Sequence, residues 1–133
     1  MEKLFIEETE FTPEIVFNPE TWKFSFKGVS RPEDVMKFYM PAINWLKTLD
    51  ENIQTHTNEK YNIAIIHLIF HFSYFNSASS KMLLEIIEII KRIQKDGIDI
   101  SVDWYYDKND EQMYDDGLDL SEAVDIPFTY HIV

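Results

Sequence analysis

Along residues 22–27, large apolar and polar side chains take turns: Trp22, Phe24 and Phe26 against Lys23, Ser25 and Lys27. A period of two marks a strand with one buried face, and it predicts a strand here that ends at Gly28. Apolar pieces at 4–6 and 15–17, separated by TEFTP, predict two short strands before it. After Ser30 the period lengthens. Val35, Phe38, Tyr39, Ile43, Trp45, Leu46 and Leu49 recur at helical spacing. Ser30-x-x-Glu33 has the form of a capping box with Pro32 in the first turn. Pro41 removes a backbone donor inside that helix and predicts a kink or two abutting helices. DENIQTHTNEK then reads as a polar loop.

Residues 62–72 are almost continuously apolar, the pattern of a strand covered on both faces in the middle of an α/β sheet. From Lys81 to Lys95 the polar residues Lys81, Glu85, Glu88, Arg92 and Lys95 form one stripe, which predicts an amphipathic helix closed by Asp96-Gly97. Ile98, Ile100, Val102 and Trp104 alternate with polar neighbours as a further strand. A short acidic helix is predicted over about 109–116, stopped by Gly117. IPFTYHIV can close the chain as a last strand. The middle is therefore strand, YFNSASSK, helix, strand: a βαβ unit whose crossover is right-handed if its strands are parallel neighbours. The expected fold class is α/β, a single compact domain over residues 1–133 with a mixed β-sheet and helices packed on it.

The 133 residues carry 24 acidic and 12 basic side chains, a formal net charge of −12. Such a surface repels phosphate backbones and anionic lipid heads, so the expected partner is a protein with a basic face, not nucleic acid or membrane. The longest apolar run, near Ile63–Phe75, is too short to span a bilayer, and the N-terminus lacks the apolar stretch of a signal peptide. With no cysteine there is no disulfide framework. A cytoplasmic protein is expected.

Little in the sequence has the form of a catalytic or metal centre. No G-x-G-x-x-G, P-loop or G-x-S-x-G occurs. His67 and His71, four apart on a strand, share a face at about 13 Å, too far for one zinc. His56 and His131 have no evident partner. In the acidic segment Asp107–Asp125, a calcium loop counted from Asp107 would need glycine and glutamate where Gln112 and Leu118 stand, so the segment reads as a solvated face or a docking surface. No catalytic residue, metal or cofactor is expected. YFNSASSK is different. Asn76, Ser77 or Ser79 can cap the helix, but a cap needs one side chain and the segment offers several. A phosphate on a serine at a helix N-terminus meets free donors and a favourable dipole.

Several segments, in order along the chain, carry a likeness. They are TPEIVF, FSFKGVSRPED, NWLKTL, YFNSASSK, VDWYYDKNDEQMYDDG and IPF. The sequence resembles the SiaC family of bacterial regulatory phosphoproteins and, more loosely, the anti-sigma-factor antagonist (STAS) domains. The resemblance implies a STAS-like fold and a partner switch. A dedicated protein kinase phosphorylates a loop hydroxyl, a PP2C-type phosphatase removes the phosphate, and the unphosphorylated form engages a diguanylate cyclase. The family loop runs asparagine, threonine, serine, serine. Asn76 matches the asparagine, Ser77 takes the threonine's place, Ala78 replaces the first serine and Ser79 matches the second. The resemblance thus makes Ser77 the first candidate acceptor and Ser79 the second, with partner contacts on Tyr74, Asn76, Ser79, Ser80 and Lys81. Two rival readings are a non-switching interaction scaffold and a small module that binds an anionic ligand at the helix N-terminus.

Overall fold

The computed structural model describes residues 1–55 and 62–133. Six strands form one sheet whose order in space is their order in the chain: β1 (Leu4–Ile6), β2 (Glu14–Asn18), β3 (Lys23–Ser30), β4 (Ile65–Phe75), β5 (Asp99–Tyr106) and β6 (Thr129–Ile132). β1, β2 and β3 pair antiparallel, and β3 to β6 are parallel to one another. Three helices make the parallel connections: α1 (Val35–Thr55), α2 (Ser77–Gln94) and α3 (Glu111–Val124).

Parallel crossovers that all step the same way across a sheet, each right-handed, lay their helices on one face. Burial follows that rule. Phe17, Phe24, Leu68 and Val102 stand in register across β2 to β5, and Ile15, Phe26, Phe70 and Trp104 in the next inward row; all are buried. They share one core with Tyr39, Leu46 and Leu49 of α1, with Leu83, Ile86 and Ile90 of α2, and with Met113 and Leu120 of α3. Each such side chain contributes roughly 1.5–3 kcal/mol on burial. The other face of the sheet is open, with Lys27, His71, Ser25, Ile69, Asp103, His67 and Ser101 on it, exposed or half-buried. β4 is central, as its apolar run predicts, but it is covered on one face only. His67 and His71 lie on the open side with the half-buried Ile65 and Ile69.

Four local expectations are corrected. Ser30 does not cap α1; it is the last residue of β3, fully buried, with its backbone opposite Phe75. Asp34 takes the capping role, its Oδ1 accepting the Lys37 N–H at 3.1 Å. α1 is one helix through Pro41 and runs on to Thr55, so the first half of the supposed polar loop is helical. Asp50 and Ile53 there are buried, and Asp50 accepts from Arg92 Nε at 3.1 Å and from Gln54 Nε2 at 3.2 Å. The second half of that loop, with His56, lies outside the described residues. Gly117 does not stop α3 but lies inside it: a Cβ there would fall 2.6 Å from Trp104 Nε1. The glycine lets α3 lie against the indole, whose N–H donates to Met113 O at 2.9 Å.

Candidate functional site

The strand-to-helix joint is shaped by a bulge. Gly28 pairs with Phe72 but the next residue, Val29, pairs with Tyr74, so Ser73 is an extra residue in β4. An extra residue reverses the in-and-out alternation beyond it. Without it Tyr74 would follow Phe70 and Phe72 into the core. With it, Tyr74 points outward, half exposed, and Phe75 turns inward against Phe72 and Trp104, with centroids 5.4 and 6.0 Å away. On β3, Gly28 supports the irregularity with φ +115°, and a Cβ there would meet the Glu8 carboxylate.

YFNSASSK is not a loop. β4 ends at Phe75, α2 begins at Ser77, and Asn76 alone joins them. Asn76 has extended backbone (φ −86°, ψ 173°), and its Oδ1 accepts the Ser79 N–H at 2.8 Å. Its carbonyl accepts the Ser80 N–H, and its own N–H donates to Ser30 O, both at 3.0 Å. The cap is therefore an amide, and no serine hydroxyl is spent on it. Asn-x-x-Ser was the legible signal, since asparagine is among the best N-cap residues.

The three serines meet different fates. Ser79 is fully buried. Ser30 Oγ donates to Ser79 Oγ at 2.8 Å, Ser79 Oγ donates to Ser30 O at 3.1 Å, and Tyr39 OH lies 2.5 Å from Ser30 Oγ. Burial pushes the Tyr39 hydroxyl up to about 12, against the opposing effect of its serine partners. The second candidate acceptor is thus withdrawn from the surface by this network. Ser80 is half-buried and, with Lys81, Leu84, Asp116, Asp119, Leu120 and Ala123, lines a groove of about 240 Å³ between α2 and α3. Ser77 is exposed at the first helical position, and among the described residues its hydroxyl makes no hydrogen bond. Lys81, one turn on, is exposed as well. Arg31, next to the residue that binds Asn76, rests its guanidinium 5.0 Å over the exposed Phe11 ring.

The remaining candidates make contacts within the fold. His131 has a partner after all, Asp103 Oδ1 at 2.7 Å from its Nε2. His67 Nδ1 lies 2.9 Å from Ser101 Oγ. His71 is held below its ordinary value, first by desolvation and then by Lys27. Among the described residues no group of three or more His, Cys, Asp or Glu could hold a metal ion. In the acidic segment, Asp110 caps α3 by accepting the Met113 N–H at 3.0 Å, and Asp125 ends it with φ +55°. Among the described residues no helix is long and apolar enough to cross a membrane. Sequence reasoning missed Ser30 and Tyr39, which carry no sequence signal because their partners are distant along the chain. It also missed the bulge that aims Tyr74.

The fold and the joint define a two-layer α/β domain with helices on one sheet face and an exposed serine where its central strand becomes a helix. Residues 6–133 match the model of the SiaC family of regulatory phosphoproteins, and the chain belongs to that family. An uncharacterized protein of Pseudomonas aeruginosa strain UCBPP-PA14 is 23% identical over 128 residues, 96% of this chain and 94% of that protein. Apo-SiaC from P. aeruginosa has the same fold, with a TM-score of 0.83 at 22% identity over 98% of this chain and 99% of that one. The same figures hold for the structure of the diguanylate cyclase SiaD in complex with its activator SiaC, also from P. aeruginosa.

Proposed function

We propose that this chain is the phosphorylated component of a partner switch, with Ser77 as acceptor, a dedicated protein kinase and a PP2C-type phosphatase as the opposing enzymes, and a diguanylate cyclase as the target bound by the unphosphorylated form. The chain supplies no catalytic residue; it supplies a surface. The observation that carries the reading is the sorting of hydroxyls at one helix N-terminus: Ser79 buried and bonded, Ser77 exposed and unbonded. A cyclase as target is supported by the complex of SiaD with a fold-mate of this chain.

Ser77 is in the first turn of α2, where the helix dipole favours a phosphate by roughly 0.3–1 kcal/mol. The modification adds nearly two negative charges at the exposed start of α2 and leaves the cap and the core untouched. In a docked complex that charge would lose its water. Leaving it unpaired costs several kcal/mol, and about 1.4 kcal/mol changes affinity tenfold, so one phosphate is enough to dissolve a micromolar complex. The test is incubation with the cognate kinase and ATP, followed by peptide mass analysis of wild type and Ser77→Ala. Phosphate is expected on the peptide containing Ser77 in the wild type and absent in the variant. Retention of an undiminished phosphate by Ser77→Ala would refute the assignment.

A further inference from the structure

We infer that Ser30, Tyr39 and Ser79 are positioning residues for phosphate transfer to Ser77, an inference that rests on the reading of Ser77 as acceptor. Each comes from a different element: Ser30 ends β3, Tyr39 lies in the second turn of α1, and Ser79 is in the first turn of α2. All three are fully buried. Each hydroxyl has a single proton, and the bonds order those protons one way. Ser79 Oγ donates to the Ser30 carbonyl and Ser30 Oγ donates to Ser79 Oγ, so Tyr39 OH is the group left to donate to Ser30 Oγ. No proton is left over, and no buried side-chain polar atom among the described residues lacks a partner.

The buried Leu83, Ile86 and Ile90 set the rotation of α2 as a whole, and this arrangement locks its first turn in the same phase. Successive helical residues are set about 100° apart, so Ser77 and Ser79 face nearly opposite ways. Tying Ser79 to Ser30 at two atoms turns that face inward and holds Ser77 outward. The Asn76 N–H on the same Ser30 carbonyl, at 3.0 Å, fixes the residue just before the acceptor. Tyr39 adds the first half of α1 to the same anchor, so strand and both helices hold the turn together. Methyl or phenyl groups would fill the same space but hold the first turn less tightly, because hydrogen bonds are more directional than apolar contact. The network therefore does two things for the kinase: it holds the backbone that carries Ser77 in one position, and it withholds the serine two residues on.

Two variants, Ser30→Ala and Tyr39→Phe, test this. Each removes one hydroxyl with little change in volume. Two readouts apply to the intact chain: amide hydrogen exchange over residues 76–81 without kinase, and phosphotransfer kinetics with the cognate kinase, with the phosphorylated residue mapped by mass spectrometry. Both variants are expected to keep the native far-UV spectrum and to exchange faster over 76–81. They should lose about tenfold in kcat for Ser77, with KM less affected, because a misdirected nucleophile loses near-attack geometry. Some phosphate should also appear on Ser79 or Ser80. A merely structural role would lower the melting temperature but move neither the kcat-to-KM split nor the site distribution at a temperature where the variants are folded. Wild-type exchange over 76–81 in both variants, or wild-type kcat with phosphate on Ser77 alone, overturns the inference while Ser77 remains the acceptor. A wild-type chain that takes up no phosphate at Ser77 sinks the acceptor reading and this inference with it.

Discussion

Replacing Asn76 tests whether the cap holds the acceptor turn. At an ordinary exposed helix end, an asparagine-to-alanine change costs about 1 kcal/mol, because water takes over the freed donor. Here the freed donor is the N–H of Ser79, a residue with no exposure, and water does not reach it easily. An unsatisfied buried donor costs about 1–3 kcal/mol. Asn76→Ala should therefore fall near the upper end of the capping range, about 2 kcal/mol. Asn76→Gly usually costs only a few tenths because water enters; with Ser79 walled in, about 1 kcal/mol is expected. Asn76→Asp keeps the acceptor and gains from the helix dipole, about 0.3–1 kcal/mol, offset in part by the net charge of −12, and should stay near wild type. Urea unfolding at pH 7 measures the series. For a domain of this size 1 kcal/mol corresponds to roughly 3–6 °C, so melting curves give a second reading. Alanine and glycine variants both within about 0.3 kcal/mol of wild type would refute the claim that this side chain, and not solvent or a serine, satisfies the first turn.

Gly117→Ala sets two effects against each other: alanine gains about 1 kcal/mol in helix propensity, but its Cβ would be 2.6 Å from an indole held by Met113 O, and overpacking of about 1–3 kcal/mol plus a weakened hydrogen bond of about 1 should win. Net destabilisation with an altered near-UV signal from Trp104 is expected, and a stabilised variant would contradict it. His71 is depressed below its ordinary value of 6.5, so the unfolded chain takes up its proton first, and stability falls as pH drops through 6.5 toward the folded value. His71→Gln should show a shallower loss between pH 7 and pH 5 in urea titrations, and an unchanged slope would count against the depression.

Patterns set by short-range physics were legible. Alternation placed β3 and β5, and the polar stripe from Lys81 to Lys95 placed the body of α2. Signals that depend on distant contacts were not. Ser30-x-x-Glu33 imitates a capping box, but the Ser30 side chain is claimed by Tyr39 and Ser79, which lie 9 and 49 residues away along the chain. Gly117 looks like a stop because glycine ends helices, yet its role is set by Trp104 across the layer. The run around β4 looks doubly buried because Ile65 and Ile69 are apolar, although the histidines between them mark a face that carries no helix. Small polar residues also made the joint look long: polarity is a loop signal, but Ser77, Ala78 and Ser79 fit a first helical turn once Asn76 has capped it. At the site itself, the exposed and buried hydroxyls were not separable by composition. They differ by helix phase: Ser77 continues the polar stripe of Lys81 and Glu85, and Ser79 the buried face of Leu83 and Ile86, a reading open to the sequence only once the helix is known to begin at Ser77.

That separation would let the proposed switch sit on a folded core without loosening it. Ser79, Ser30 and Tyr39 carry the bonds that anchor the first turn of the helix, while the Ser77 hydroxyl makes none among the described residues. Adding a phosphate to a group that holds nothing together leaves the fold's own free energy almost unchanged, and the dipole at the helix start favours the added charge slightly. In the proposed switch the energy would be drawn from the partner's interface, where a desolvated dianion is expensive. The bulge at Ser73 belongs to the same design. By turning Tyr74 out and Phe75 in, it puts an amphipathic ring on the surface just before the joint and keeps the core closed beneath it. A surface of this kind can be remodelled freely at Ser77 and Tyr74, whereas the residues beneath it are constrained by packing and hydrogen bonding on every side.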